Sequence, residues 1–196
     1  MNFFRHIARD QRGSTAVEFA FVGPPFLLLL VAIFELGLIL TTQSVMDGAA
    51  RDAARLIRTG QVQAQTSTGQ KIATFQDLLC AKMGALLSAT NCASHVIFEV
   101  QVFANFGSVN FTPCTFNANN PTGTGTACQF SPGTGGQIVG VQASYPRPFI
   151  VPWVGRCLSG GSCWTGPAGP VGGTGAGASS VTLISTVIFR NEPFSS

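Results

Sequence analysis

The stretch that decides the fold lies near the start of the chain, between Arg12 and Leu40, and reads RGSTAVEFAFVGPPFLLLLVAIFELGLIL. A short basic leader ends here and an apolar run begins. Within that run the only charged residues are Glu18 and Glu35. A bilayer core needs about 20 mainly apolar residues of helix, so this segment is long enough to span a membrane.

Glu18 most needs an explanation, because hydrocarbon does not solvate charge. A carboxylate at the bilayer centre costs at least roughly 2.5 kcal/mol, and less near the interface, so Glu18 predicts a cationic partner. Glu35 lies near the far end of the span, where we expect its side chain to reach headgroups or water. Pro24 and Pro25 predict a kink or an unwound turn near Val22 to Pro25. Such a break is either tolerated in a lone span or suited to a helix packed among other helices.

The charges before the span predict its orientation. They are Arg5, Arg9, Arg12 and Asp10. The positive-inside rule then places the N-terminus in the cytoplasm and the rest of the chain outside. A cleaved signal peptide has an apolar core of about 7–15 residues followed by a small-residue site, whereas this run is longer and ends around Glu35 and Gly37. An uncleaved signal anchor therefore remains an alternative to a processed leader.

The composition differs from that of an average soluble domain. The chain has 196 residues, enough for one span and one modest outer domain. Only 10% of its residues are charged, against roughly 25% in soluble domains. The formal net charge of +3 and the scattered basic residues predict no nucleic-acid partner. The 23 glycines and 11 prolines predict a loop-rich outer domain.

All six cysteines lie beyond the span, which predicts disulfides in an oxidising compartment. Many pairings are possible, and sequence cannot select one. Sequence proximity favours three short loops, closed by Cys80–Cys92, Cys114–Cys128 and Cys157–Cys163. Each bond would stabilise the fold by roughly 2–4 kcal/mol.

The helix is expected to continue past the bilayer, because Gln43 to Arg58 is rich in alanine and other good helix formers. A continuous helix from Ser14 to Thr59 would be roughly 70 Å long, against a hydrocarbon core of about 30 Å. One stripe is charged and is interpreted as a solvated face; it contains Asp47, Arg51, Arg55 and Arg58. Another stripe is apolar and contains Val45, Ala49, Ala53 and Leu56 or Ile57.

The rest of the chain predicts a small outer domain. Residues 61–69 are a polar linker, and Lys71 to Leu87 has the apolar spacing of a short amphipathic helix. Three segments predict strands: Val96 to Phe103, Ile138 to Tyr145 and Val181 to Phe189. An antiparallel sheet packed on the long helix is the simplest assembly of these parts. The predicted fold class is therefore α+β and pilin-like, with disulfide-stapled loops.

Catalytic and cofactor chemistry is not indicated. His6 lies in the leader, and His95 has Glu99 as its nearest carboxylate in sequence, roughly 13 Å away along an extended strand. The cysteines lack the tight paired spacing of zinc sites, and no glycine-rich stretch forms a phosphate-binding fingerprint. We therefore predict no catalytic residue, no metal and no cofactor. A membrane-tethered hydrolase has little support.

The segment RGSTAVEFAFVGPPFLLLLVAIFELG, followed by AARDAARLIRTG, resembles the TadE-like pseudopilins of the tight-adherence (Tad or Flp) pilus system. The C-terminal FRNEPF, Phe189 to Phe194, is similar to the tail of relatives. The resemblance is dense over residues 12–60 and thin elsewhere. It implies a pilin-like membrane subunit of a bacterial inner membrane, with a cytoplasmic N-terminus and a periplasmic domain.

The resemblance also implies a processing site and an assembly site. A prepilin peptidase would cut between Gly13 and Ser14, and the family's characteristic glutamate corresponds to Glu18, followed by Phe19. In type IV pilin-like filaments that glutamate is thought to pair with the new amino terminus of a neighbouring subunit, here the amine of Ser14. Such a pair is favourable in low dielectric only when its geometry is good.

The expected partners are the prepilin peptidase, other Tad pilins and pseudopilins, the inner-membrane assembly platform and the lipid bilayer. The chain divides into a basic leader (1–13), a long transmembrane and protruding helix (14–60) and an extracytoplasmic α+β domain (61–196). Major Flp pilins are little more than the helix, so the outer domain favours a minor pilin. The alternative is an unprocessed, signal-anchored periplasmic binding or scaffold protein.

Overall fold

The structure is a computed structural model, and it describes residues 14–111, 114, 126–150 and 180–194. Its helices are α1 (Ser14–Arg58), α2 (Thr68–Met83) and α3 (Ala89–His95), and a 3-10 turn covers Phe106–Ser108. Its strands are β1 (Ile97–Phe103), β2 (Ile138–Pro148) and β3 (Ser180–Arg190). They form one antiparallel sheet in the order β1-β2-β3. The α+β class with a long N-terminal helix and a small antiparallel sheet is confirmed.

The chain divides into two compact units, Met1–Leu38 and Ile39–Ser196. In the first unit, α1 is helical without interruption through Pro24 and Pro25, so the expected unwound turn is absent. Each proline fixes φ near a helical value and removes one hydrogen bond. The bonds lost are those to the carbonyls of Ala20 and Phe21, four residues earlier, and the remaining helix keeps its own ladder.

The core of the second unit lies between the C-terminal part of α1, α2 and the sheet. Four alanines of α1 are buried there: Ala49, Ala50, Ala53 and Ala54. Small side chains let the helix approach its neighbours closely, and larger ones fill the core from all sides. The largest fully buried residues are Phe75, Met46, Ile57, Leu79, Met83, Val62, Val100, Val139, Val141 and Cys92. The predicted apolar stripe is therefore wider than expected, whereas Val45 is only half-buried.

The sheet buries one face, as the alternation in its strands requires. Val100 pairs with Val141, which pairs with Val187, and side chains of this set point towards the helices. Phe98 on the same face contacts Phe75 of α2, with ring centroids 5.0 Å apart. The strands begin within one residue of their predicted starts. The strand order, which the sequence leaves open, follows from these pairings.

The strand β2 continues beyond its predicted end at Tyr145, through Pro146 to Pro148. Proline is excluded from a central strand because it cannot donate to the ladder. Here β1 begins at Ile97, opposite Ser144, so only β3 pairs with β2 beyond that point. Alternate residues of β2 direct their backbone groups to opposite sides, and the prolines alternate with residues that bond β3. The backbone nitrogens of these prolines point away from β3, so no hydrogen bond between β2 and β3 is lost.

Both outer edges of the sheet have hydrogen-bonded neighbours. On the β1 side, Val100 N donates to Gln129 O at 2.9 Å and Ser131 N donates to Val100 O at 2.8 Å. On the β3 side, α1 supplies the contacts: Gln43 Nε2 donates to Ile184 O at 2.9 Å. Contacts of this kind blunt an edge that would otherwise pair with another chain.

Two disulfides are described, and they are the ones that sequence proximity favours. Cys80–Cys92 joins α2 to α3, with Cα atoms 5.6 Å apart. Cys114–Cys128 closes a loop between β1 and β2, with Cα atoms 5.0 Å apart. The third expected pair, Cys157–Cys163, lies outside the described residues, as does the leader with Gly13.

Candidate assembly site

The expected assembly residues lie in the first turns of α1, which begins at Ser14. Glu18 follows one turn later, so the two residues share a helix face. Glu18 is exposed, and the neighbouring side chains of Phe19 and Phe21 are 72% and 78% exposed. An isolated domain would bury rings of this size, because each removes a large apolar area from water. The segment therefore presents an acidic residue within an apolar helix surface.

Phe19 covers Gly23, one turn further along the helix. A Cβ atom added to Gly23 would lie 3.2 Å from Cε1 of the Phe19 ring, so the glycine makes room for the ring. The next residues are Pro24 and Pro25, which cannot donate to the carbonyls of Ala20 and Phe21. In hydrocarbon such carbonyls need donors from neighbouring groups.

Glu35 differs from expectation. Its side chain is 2% exposed, whereas the sequence predicts that it reaches headgroups or water. The expectation that this carboxylate reaches water is therefore wrong for the structure described. The alternation of apolar residues gave no sign of this, because the whole segment around Glu35 is apolar.

Helix α1 has the length and apolar composition of a membrane span. Among the described residues it is the one helix long and apolar enough to cross a bilayer, and its most apolar 18-residue window has a mean hydropathy of 2.2. Only 11% of that window is buried. The core helix of a soluble protein would be mostly buried. A single N-terminal apolar helix of this kind fits a single-pass membrane anchor.

The second unit has one buried carboxylate that the sequence did not reveal as special. Glu99 of β1 is 3% exposed, and it lies on the sheet face opposite Phe98 and Val100. Its Oε1 accepts a hydrogen bond from Gln101 Nε2, and its Oε2 lies 3.8 Å from Cys114 Sγ. A disulfide sulfur has no proton to donate, so this second contact is one of packing. The loop that Cys114 belongs to thus contributes to covering the carboxylate.

His95 has a serine beside it, at the end of α3. The Ser94 hydroxyl lies 2.9 Å from His95 Nδ1, but it also donates to the helix carbonyl of Thr90 at 2.9 Å. His95 Nδ1 lies 3.0 Å from Asn91 O. All of these contacts lie within the exposed last turn of α3, so they are local helix-end contacts. In the described part of the chain, no group of three or more His, Cys, Asp or Glu residues is arranged to hold a metal.

An open cleft of about 520 Å³ lies at the end of the sheet opposite Pro148. It is lined by Val102, Phe103, Ala104, Gly136, Gln137, Ile138 and Arg190. The guanidinium of Arg190 is engaged there, since its Nε donates to Gly136 O at 2.7 Å. The lining offers neither a nucleophile nor a paired acid and base. It gives no reason to assign a substrate.

The C-terminal tail is tied to the end of α1. Glu192 N donates to Arg58 O at 3.0 Å, and the Phe194 ring contacts Gly60. Asn191 is buried, and its Nδ2 donates to Pro132 O and Thr134 O, each at 3.0 Å. The tail that resembles that of relatives is thus part of the folded domain. A short polar sequence gave no indication of which element it would contact.

Comparison with known proteins gives one result. No curated protein and no solved structure matches the chain. Residues 13–55 match the model of one family, described as TadE-like protein. The matched segment begins at Gly13 and includes Glu18, Phe19 and most of α1. The suspected resemblance is therefore confirmed for this segment, which identifies the chain as one with a TadE-like N-terminal region.

Proposed function

We propose that this protein is a minor pilin or pseudopilin, a structural subunit needed for assembly or function of a Tad-type pilus in surface adhesion. The TadE-like match points to a pilus-associated pilin. The observation that supports the proposal most directly is the exposed, apolar α1 segment with Glu18 one turn after Ser14. No enzymatic role is part of it.

Processing by a prepilin peptidase is the first element of the proposal. Cleavage between Gly13 and Ser14 removes the basic leader and creates a positive amine at Ser14. The protein would be stored in the bacterial inner membrane, with the N-terminus cytoplasmic and the outer domain periplasmic. Its partners would be the peptidase, other Tad pilins or pseudopilins and the assembly platform.

Neutralisation of Glu18 is the second element. In the assembled state, the Ser14 amine of one subunit pairs with Glu18 of a neighbour. Both charges lie in low dielectric, so the attraction is strong, while removal of one partner from such a buried pair costs about 3–5 kcal/mol. Cleavage therefore supplies the cation that the carboxylate requires, and assembly depends on it.

The minor role rests on the second unit. That unit covers residues 39–196, whereas the helix alone suffices for a major Flp pilin. A subunit with so much folded mass beside its helix suits priming, capping or adhesion better than the bulk of a filament. Two described disulfides stabilise that mass outside the cytoplasm.

N-terminal sequencing tests the processing step. The mature protein from cells with an active prepilin peptidase is expected to begin at Ser14, and protein from a peptidase deletion strain at Met1. A start at Met1 in both strains would contradict processing. That result would favour the alternative, an unprocessed signal-anchored periplasmic binding or scaffold protein.

Substitution of Glu18 tests the assembly step. Glu18→Ala is expected to reduce piliation at least tenfold at unchanged membrane levels of the protein, because the Ser14 amine loses its buried partner. Glu18→Asp, which retains the negative charge, should retain part of the normal piliation. Val17→Ala is the matched control, since Val17 is an exposed neighbour (57%) without charge, and it should leave piliation near normal. Normal piliation with Glu18→Ala would remove the assigned role.

A further inference from the structure

The open cleft at the end of the sheet combines a cation with apolar walls. Arg190 and Gln137 supply its polar side chains, and its apolar surface comes from Val102, Phe103, Ala104 and Ile138. None of the residues that line it is acidic. Its volume of about 520 Å³ lies within the range of about 300–1,000 Å³ that is usual for ligand pockets. The cleft lacks catalytic groups, but its composition suits an anion attached to an apolar body.

Arg190 is held in the cleft by one edge of its guanidinium. Its Nε donates to Gly136 O at 2.7 Å, and within the described part of the chain it makes no other hydrogen bond or ion pair. The nearest acidic residue in sequence, Glu192, is paired with Arg58 at 3.4 Å. The terminal Nη atoms of Arg190 therefore keep N–H groups whose spacing matches the two oxygens of a carboxylate.

The turn beside Arg190 is fixed by its own hydrogen bonds. Gly136 has φ +81°, and its N donates to Asn191 O at 3.2 Å. Gln137 O accepts from Asn191 N at 2.8 Å, and Gln137 Oε1 accepts from Thr134 N at 2.8 Å. These bonds leave the side-chain nitrogen of Gln137 as a second donor in the cleft. A site whose donors are held in place before binding loses less entropy when the ligand arrives.

The surroundings of the cleft favour a polypeptide over a free small acid. Small ligands are usually held in sites that bury about 70–90% of their surface, whereas this cleft is open and both Gln137 and Arg190 are exposed. Phe106, two residues after Ala104, is 59% exposed and supplies further apolar surface next to the cleft. Aromatic residues and arginine are enriched at protein interfaces. The occupant is therefore expected to reach beyond the cleft itself.

We propose that this cleft binds the carboxylate of an aspartate or glutamate that is flanked by apolar residues in a partner protein. The carboxylate pairs with the Nη groups of Arg190, and the flanking apolar side chains pack on Phe103 and Ile138. Every group involved lies within the second unit. The inference therefore goes beyond the proposed function and does not depend on the membrane anchor or on processing at Gly13.

Two matched peptides test the carboxylate. Ala-Leu-Glu-Leu-Ala and Ala-Leu-Gln-Leu-Ala, both with blocked ends and a fluorescent label, differ only in the charge of the central residue. The full chain in micelles of a neutral detergent is added to each peptide, and fluorescence polarization measures binding. Empty micelles give the background. The glutamate peptide is expected to bind about tenfold or more tightly than the glutamine peptide, because hydrogen bonds to a charged group are the stronger ones.

Three variants assign that preference to the cleft. Arg190→Gln should remove the difference between the two peptides. Arg55→Gln is the matched control, since Arg55 is also exposed and lies on α1, outside the lining of the cleft; it should preserve the difference. Ala104→Trp fills the cleft from an exposed position and should weaken binding of the glutamate peptide about fivefold or more, through lost access. Circular dichroism of each variant confirms that it is folded.

Four results would overturn the inference. They are equal binding of the two peptides, no binding of either peptide, an unchanged preference in folded Arg190→Gln, and unchanged binding to folded Ala104→Trp. A free acid supplies the last comparison: octanoate that displaces the glutamate peptide at a concentration below that of the unlabelled peptide itself would assign the cleft to a small acid and overturn the protein partner.

Discussion

Arg58, the last residue of α1, is joined twice to Glu192 in the C-terminal tail. Its backbone oxygen accepts a hydrogen bond from Glu192 N at 3.0 Å, and its Nε lies 3.4 Å from Glu192 Oε1. The backbone bond satisfies one of the carbonyls that a helix leaves unpaired at its end. Both side chains are about half exposed, so solvent weakens the ion pair. The backbone and apolar contacts of the tail therefore matter more than the charges.

The first prediction separates the ion pair from the buried amide beside it. Asn191→Ala removes two donated hydrogen bonds in a buried place, and we expect the free energy of unfolding to fall by about 1–3 kcal/mol. Glu192→Gln should lower it by less than about 0.5 kcal/mol, since the pair is exposed. Denaturant unfolding of the full chain in detergent micelles measures both. Equal effects of the two variants would contradict this ranking.

The second prediction concerns Gly60, which has φ +81°. An alanine there would adopt a left-handed conformation at a cost of about 1–2 kcal/mol, and its Cβ would lie 2.9 Å from Cγ of Phe194. We therefore expect Gly60→Ala to lower the free energy of unfolding by more than about 1 kcal/mol.

Gly48→Ala is the matched control for that substitution. Gly48 lies within α1, and an added Cβ meets no atom within 4 Å. Because alanine favours helices by about 1 kcal/mol over glycine, Gly48→Ala should stabilise the protein. Stabilisation by both substitutions would show that the Gly60 turn is not held in the described conformation.

The third prediction concerns the disulfides. Peptide mapping without reduction should recover Cys80 linked to Cys92 and Cys114 linked to Cys128. Replacing both Cys80 and Cys92 by alanine should lower the free energy of unfolding by about 2–4 kcal/mol. A peptide that joins Cys92 to Cys114 would contradict the described pairing.

The fourth prediction concerns Tyr145, the one tyrosine of the chain. Burial raises the pKa of its phenol above the ordinary value of 10.0, and the charge of Arg147 partly opposes the shift. Because folding raises this pKa, the phenol does not lower the free energy of unfolding while the pH stays below the pKa of the unfolded state. Stability is then lost as pH rises from about 10 towards the folded pKa.

Tyrosinate absorbance measures that shift directly, because no other tyrosine contributes. The titration midpoint of the folded protein should lie above that of the denatured protein. Tyr145→Phe should remove the tyrosine-dependent part of the alkaline loss in the free energy of unfolding. Identical midpoints in the folded and denatured states would contradict the burial of the phenol.

Local sequence patterns were sufficient to predict most of the helices and strands. Alternating residues predicted all three strands, and the alanine-rich segment predicted the continuation of α1 to its end near Arg58. The seven-residue helix α3 was missed because so short a segment has too few turns to show a period. The end of β2 was placed too early because Pro146 normally stops a central strand.

Other features escaped the sequence because they depend on distant residues. The buried Glu99 contacts Cys114, and the buried Asn191 donates to the carbonyls of Pro132 and Thr134. Neither polar residue has a local signal for burial. Glu35, in contrast, was noticed as an unusual charge, but its neighbours in sequence could not show which face of α1 is covered.

The sequence by itself determined a long N-terminal helix with an apolar surface, a glutamate near its start and three strands, because these depend on side-chain periodicity and hydropathy along one stretch of chain. Only the tertiary structure decided the strand order, the faces that are buried and the attachment of the tail to Arg58. Those depend on contacts between residues far apart in sequence, such as Gln43 with Ile184. Close packing of the whole domain selects such contacts.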